Sequence, residues 1–233
     1  MQQKYRVYQS RNTPLQQQPF MTYLFLAIII LVYGYTYFTF GTTVHSLVLI
    51  QMGAKFNPLM IHEQEWWRLI TAAFIHIGFQ HLLMNGITLY FLGQELERIM
   101  GHVRFTMVYL VAAIGGNIFS FAFSESISAG ASTSLFGIFV SFIVLSAMYP
   151  RSQVLKQRAS TYTILIVLNI ALGMFNQGID NFGHMGGAVF GAIITFSLGL
   201  KVKSHFALWQ RLIVAAGGIL LAIGLIYYGI NQY

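Results

Sequence analysis

Long apolar runs separated by short polar segments organise this chain. Residues 1–19 are polar, and residues 20–40 form an apolar run of about the ~20 residues that a helix needs to cross a bilayer. Residues 41–79 are mixed and amphipathic, and they include Trp66-Trp67-Arg68, a combination typical of the membrane–water interface. Further apolar runs follow at 81–96, 103–123, 132–149, 162–175, 182–200 and 212–230. The pattern predicts an all-α polytopic membrane protein with seven transmembrane helices.

Composition supports this class. The chain is 56% hydrophobic and only 8% charged, which is typical of membrane proteins and not of soluble domains. It has no cysteine, so disulfides, thiolate metal sites and cysteine nucleophiles are excluded.

The net charge of +7 is unevenly placed along the chain. With seven spans, two of the 13 cations, Lys55 and Arg68, fall on one side of the membrane. The other 11 fall on the opposite side: Lys4, Arg6, Arg11, Arg98, Arg104, Arg151, Lys156, Arg158, Lys201, Lys203 and Arg211. Because cytoplasmic loops are enriched in Lys and Arg, we expect a plasma-membrane protein with a cytosolic N-terminus and an extracytoplasmic C-terminus. The positive charge therefore reflects topology and does not indicate nucleic-acid binding.

The same reasoning predicts three regions. Residues 1–19 form a cytosolic tail, and residues 20–200 form a six-span core that contains an interfacial loop, residues 41–79, in the outer leaflet. Residues 201–233 form a cytosolic loop and the seventh span.

Ser132 stands where a small, flexible segment ends and the fourth apolar run begins. Backbone N–H groups are unpaired at a helix N-terminus, so a serine there can attack a carbonyl while nearby N–H groups stabilise the oxyanion. Serine is also a common helix N-cap, which is the simpler interpretation of this position alone.

Four polar residues share one depth in the predicted bundle. His81, Ser132 and His184 precede the first cytosolic cation of their spans by 17, 19 and 17 residues. At ~1.5 Å per residue, all three lie roughly 25–29 Å above the inner boundary. Asn85 lies one turn below His81 on the same helix face. Ionisable residues within a membrane are rare and indicate function, so this layer is the candidate site, close to the outer surface.

Small residues recur every four positions on two spans: Thr133, Gly137 and Ser141 on the fourth, and Gly183, Gly187 and Gly191 on the sixth. Such stripes allow membrane helices to pack closely, which would bring Ser132 next to His184. Glycine stripes also occur in membrane proteins for packing alone.

Five motifs in this order resemble the rhomboid intramembrane serine proteases over roughly residues 60–200. They are Trp66-Trp67-Arg68, His81-Leu82-Leu83-Met84-Asn85, Gly93-Gln94-Glu95-Leu96-Glu97 with Gly101, Gly130-Ala131-Ser132 with Phe136-Gly137, and His184-Met185-Gly186-Gly187. Thr133 departs from the pattern, because the family usually has glycine there. The resemblance implies a six-helix rhomboid-like bundle, to which this chain adds a C-terminal transmembrane helix.

The resemblance also implies roles for the polar layer. Ser132 would be the nucleophile and His184 the general base, acting as a dyad because no acidic residue is expected in that layer. The oxyanion hole would consist of the Ser132 N–H and the side chains of His81 and Asn85. Phe136 would stack on the imidazole, with Gly130 and Gly187 in supporting positions. No metal or cofactor is implied; the partners would be transmembrane protein substrates and the lipid bilayer.

Two other functions fit part of the pattern. A rhomboid-like pseudoenzyme would bind membrane clients without cleavage but would not need both Ser132 and His184. A small transporter would use the polar layer as a path, yet the chain shows no internal repeat or charge in mid-membrane. Outside the layer, we expect Arg68, Glu95 and Glu97 to pin loops and helix ends, and His102 to be solvated. His76 stays unassigned.

Overall fold

The computed structural model describes residues 18–174, 178–202 and 204–232. The predicted tail up to residue 17, the end of the fifth predicted span at Phe175 and the cation Lys203 lie outside these residues.

The described residues form helices joined by short connections. Helix α1 is Phe20–Phe40, and the interfacial loop contains α2 (Ser46–Met52), α3 (Asn57–His62), α4 (Arg68–Thr71) and a 3-10 turn, Ala72–Phe74. Helix α5 (Gly78–Thr88) continues through a π-helical segment, Leu89–Gly93, into α6 (Gln94–Met100). The remaining helices are α7 (His102–Phe123), α8 (Ser132–Met148), α9 (Gln153–Met174), α10 (Asn181–Leu198) and α11 (Leu208–Ile230). The predicted all-α membrane fold is confirmed.

Some helices are longer than the apolar runs that predicted them. Helix α9 begins at Gln153, nine residues before the predicted span, and α5 and α6 together extend from Gly78 to Met100. The added turns of α9 carry Lys156 and Arg158, which an apolar window excludes although they are helical. Hydropathy therefore locates the lipid-facing part of a helix better than it locates the helix ends.

The helices differ in how they could meet a membrane. Helices α1, α7 and α11 are each long and apolar enough to cross one, and α8 is apolar but has only 17 residues. The segment Arg68–Phe74 and the helix Gly78–Met100 form a pair bent by 91°. The most apolar window of α7 is 67% buried, whereas those of α1 and α11 are 17% buried. Helix α7 is therefore central, and α1 and α11 are peripheral.

Helices α8 and α10 pack backbone to backbone along the two small-residue stripes. A Cβ built on Gly187 would lie 2.1 Å from the Thr133 carbonyl oxygen, and one built on Gly191 would lie 2.3 Å from the Gly137 Cα. Thr133 itself is buried, and α7 presents Gly116 to its side chain, where an added Cβ would be 2.6 Å away. Glycines on the facing helices thus make room for threonine at the position that departs from the family pattern.

Charged side chains fasten the loops and helix ends. Arg68 binds Glu65 and donates to the carbonyls of Ile50 and Ala54, so it holds the interfacial loop together. Glu97 accepts hydrogen bonds from the N–H groups of residues 21 and 22 and so caps α1. Glu95 joins α6 to α9 by accepting from Arg158 and Tyr162.

His102 is partly solvated, as expected, but it also has a partner that the sequence did not predict. Its Nδ1 lies 2.5 Å from Glu97 Oε1, and its side chain is 36% exposed. Glu97 is 75 or more residues away from its α1 partners along the chain. Local hydropathy does not reveal such a long-range cluster.

Candidate active site

Ser132 and His184 lie within hydrogen-bonding distance. Ser132 is the first residue of α8 and His184 lies in the first turn of α10, and the distance from Ser132 Oγ to His184 Nε2 is 2.9 Å. The close contact of α8 with α10 at Gly187, one turn further along, sets this distance. The backbone N–H groups of the first turn of α8 have no partner inside the helix, so they remain available beside Ser132.

The imidazole of His184 is oriented by stacking. Its ring centroid is 4.3 Å from that of Phe136, and the two planes differ by 14°. Its Nδ1 is buried and has no hydrogen-bond partner among the described residues. The nearby Asp180 instead caps α10 by accepting from the Gly183 N–H at 2.8 Å. The geometry is that of a serine–histidine pair without an orienting carboxylate.

His81 and Asn85 lie one turn apart on α5, the helix whose His81 ring contacts Gly130, two residues before Ser132. His81 Nδ1 is 3.5 Å from the Ile77 N–H, which donates to it and leaves the Nε2 proton as a donor. One N–H of the Asn85 amide donates to the His81 carbonyl at 2.9 Å, and its second N–H is not used by that bond. Each of the two side chains therefore has one hydrogen-bond donor to offer, the Nε2–H of His81 and the second amide N–H of Asn85.

Gly130 is held against the His81 ring. Its φ is +136°, and an added Cβ would lie 2.5 Å from His81 Cε1, so both the conformation and the space require glycine. Its N–H donates to the Ala72 carbonyl at 2.9 Å. This contact fixes the chain two residues before Ser132.

His76 belongs to the same cluster, although the sequence left it unassigned. It is only 2% exposed, its Nε2 accepts from the Ala131 N–H at 3.4 Å, and its ring centroid is 5.3 Å from that of His81. It therefore contacts the residue immediately before Ser132. The sequence feature that could have indicated this role is the presence of a histidine in the apolar segment 72–77, five positions before His81.

Comparison with known proteins agrees with the motifs. Residues 63–201 match the family model of the Rhomboid domain. The chain is 38% identical to rhomboid protease GluP of Bacillus subtilis over 92% of its length and 41% of the relative's. It is 31% identical to the putative rhomboid protease YdcA of the same organism, over 67% of this chain and 79% of the relative. It is 33% identical to RHOMBOID-like protein 2 of Arabidopsis thaliana, over 77% of this chain and 62% of the relative.

The chain spans about two fifths of the length of GluP and about three fifths of the length of the Arabidopsis relative, so the likeness covers only part of each of those proteins. The matched residues contain Ser132, His184, His81 and Asn85. No group of three or more His, Asp or Glu side chains within the described ranges is arranged to hold a metal ion. With its family model, its relatives and its helical membrane fold in agreement, this chain belongs to the rhomboid family.

Proposed function

We propose that this chain is an intramembrane serine protease that hydrolyses peptide bonds in or next to the transmembrane segments of other proteins. The observation that carries the proposal is the 2.9 Å distance from Ser132 Oγ to His184 Nε2. Polar side chains are costly to bury and rare inside a membrane protein, so two of them brought together from different helices indicate a function.

The proposed reaction follows from the positions of the atoms. Ser132 Oγ attacks the scissile carbonyl carbon while its proton moves to His184 Nε2. The peptide C–N bond then breaks, and the imidazolium returns the proton to the leaving amine. Water, deprotonated by His184, hydrolyses the acyl-enzyme and regenerates Ser132.

The oxyanion would be stabilised by hydrogen-bond donors close to Ser132. The donors would be the Ser132 N–H, the His81 Nε2–H and the second amide N–H of Asn85. The contact of the His81 ring with Gly130, two residues before Ser132, supports this assignment. Such preorganised donors stabilise the transition state because they need no reorganisation, and each typically contributes ~10²–10³ in rate. Stacking on Phe136 would hold the imidazole of His184 in the orientation in which Nε2 faces Ser132 Oγ.

Substrate preference follows from the close packing around Ser132. Little space remains between α8 and α10, so we expect small side chains before the scissile bond. A helical substrate must also unwind to present its carbonyl, so Gly, Pro or Ser near the cleavage site should favour hydrolysis. The site would open to the outer face of the plasma membrane, and the N-terminus would lie in the cytosol. The interfacial loop would lie in the outer leaflet. The six-span core would extend from residue 20 to residue 200.

The test is cleavage of a model transmembrane substrate by the purified protein in liposomes. Ser132→Ala and His184→Ala should each abolish cleavage, whereas the exposed Ser126→Ala and His62→Ala, as matched controls, should not. Cleavage at the parent rate by Ser132→Ala would overturn the proposal. Substrate binding without cleavage by the parent protein would instead indicate a client-binding pseudoenzyme.

A further inference from the structure

A lysine in the interfacial loop is completely buried. Lys55 has 0% exposure, although it belongs to neither the Ser132–His184 pair nor the oxyanion donors. Burying an ammonium group is costly unless it is paired or well hydrogen-bonded. Its contacts therefore show what compensates this burial.

Lys55 joins two segments that lead to Ser132. Its Nζ donates to the carbonyls of Ser124 at 2.9 Å and Ser120 at 3.3 Å, at the C-terminal end of α7. A cation there caps free carbonyls and interacts favourably with the helix dipole. Its backbone also pairs in both directions with Ser128, at 2.9 and 3.1 Å. One residue thus fastens both ends of the segment 124–128, four residues before Ser132.

Lys55 also acts on the helix that carries His184. Asp180 is the carboxylate that interacts electrostatically with Lys55. Asp180 Oδ1 accepts from the Gly183 N–H, next to His184, while Asp180 Oδ2 is buried without a hydrogen-bond partner among the described residues. The ammonium charge therefore favours, through space and without a direct ion pair, the position of Asp180 at the start of α10.

We propose that Lys55 is a positioning residue whose positive charge keeps the Ser132 loop and the N-terminal turn of α10 in register, so that loss of its proton lowers activity. The inference rests on the proposed protease function and adds a regulatory group to the same site. It predicts an activity that falls in mildly alkaline solution.

Burial lowers the pKa of Lys55 to about 8, and the opposing effect of Asp180 only partly offsets this. The interfacial loop holds a second cation, which is already paired with a carboxylate. Arg68, which binds the carbonyl of the preceding Ala54, is paired with Glu65. Lys55 is therefore mostly charged at neutral pH and mostly neutral about two pH units higher.

The test is the rate at which a fluorophosphonate probe labels Ser132 in the full-length, detergent-solubilised protein, measured between about pH 7 and about pH 10. The parent rate should fall about 10-fold across this range. Lys55→Arg, which cannot lose its proton, should label well at neutral pH and show no alkaline fall. Lys55→Met should be labelled about 10-fold more slowly than the parent at neutral pH, and its labelling rate should not fall further in alkaline solution. Lys156→Met, on an exposed lysine, is the matched control and should behave like the parent.

Two outcomes would overturn the proposal: an alkaline fall that persists in Lys55→Arg, or parent-like labelling by Lys55→Met. Thermal melting of each variant identifies one that has not folded, and the Lys55→Arg profile decides the question even if Lys55→Met unfolds. Failure of the proposed protease function would look different, since the parent would then not label at any pH.

Discussion

Gly187→Ala should separate the Ser132–His184 pair without removing any catalytic atom. The added Cβ would lie 2.1 Å from the Thr133 carbonyl oxygen, 2.8 Å from its carbon and 3.0 Å from its Cα. All three are backbone atoms, so no side-chain rotation can relieve the contact. Normal contact begins at 3.4 Å, so α8 and α10 must move apart by 3.4 − 2.1 = 1.3 Å at this level.

The dyad lies within one turn of this contact, so most of that displacement reaches it. The distance between Ser132 Oγ and His184 Nε2 would rise from 2.9 Å towards ~4 Å, beyond a hydrogen bond. A misplacement of ~1 Å can reduce a rate ~10²-fold. Overpacking of a close contact should also lower the free energy of unfolding by ~1–3 kcal/mol.

The assay compares the fluorophosphonate labelling rate and the melting temperature of Gly187→Ala with those of Gly224→Ala. Gly224 lies on α11 with no heavy atom within 4 Å of an added Cβ, so alanine there should preserve labelling and favour the helix. Gly187→Ala should label about 100-fold more slowly. Parent-like labelling and melting by Gly187→Ala would refute the close α8–α10 packing from which this expectation is derived.

Three further substitutions probe other parts of the structure. Glu97→Gln should lower the free energy of unfolding by ~1–3 kcal/mol, because it removes the buried charge that caps α1. Its melting temperature should therefore fall, while its fluorophosphonate labelling rate should stay the same. His76→Phe should slow labelling by about 10-fold, because the Ala131 N–H loses its acceptor while the dyad remains; labelling kinetics on folded protein check this. His81→Ala should lower kcat by ~10²–10³ with little change in KM, because its donor acts on the transition state; steady-state cleavage of a model substrate checks this.

Each of these expectations has a distinct contradicting result. Unchanged melting of Glu97→Gln would show that the carboxylate does not cap α1 in solution. Unchanged labelling of His76→Phe would remove this histidine from the site. A rise in KM at constant kcat for His81→Ala would indicate substrate binding instead of oxyanion stabilisation.

Sequence patterns predicted those features that depend on residues close together in the chain. Apolar runs gave the order of the long helices, and residue counts from the cytosolic cations placed His81, Ser132 and His184 in one layer. The small-residue stripes predicted the contact between α8 and α10, because four-residue periodicity defines a helix face. Membrane orientation remains a prediction, since it depends on a bilayer.

Long-range contacts escaped prediction because local hydropathy does not report a distant partner. The additional turns at the start of α9 carry Arg158, which contacts Glu95, 63 residues away. His76 contacts Ala131 across 55 residues, and Lys55 contacts Ser124 across 69. In each case the side chain is polar within a mixed segment, and only the folded chain shows what it binds.

Activation of Ser132 by His184 can be measured without a substrate. The detergent-solubilised protein is treated with a fluorophosphonate probe, and the intact mass and the modified peptide are determined for the parent, Ser132→Ala and His184→Ala. We expect a single adduct on Ser132 in the parent protein and no adduct in either variant. A folded parent protein that stays unlabelled, or a Ser132 adduct that forms equally fast in His184→Ala, would contradict it.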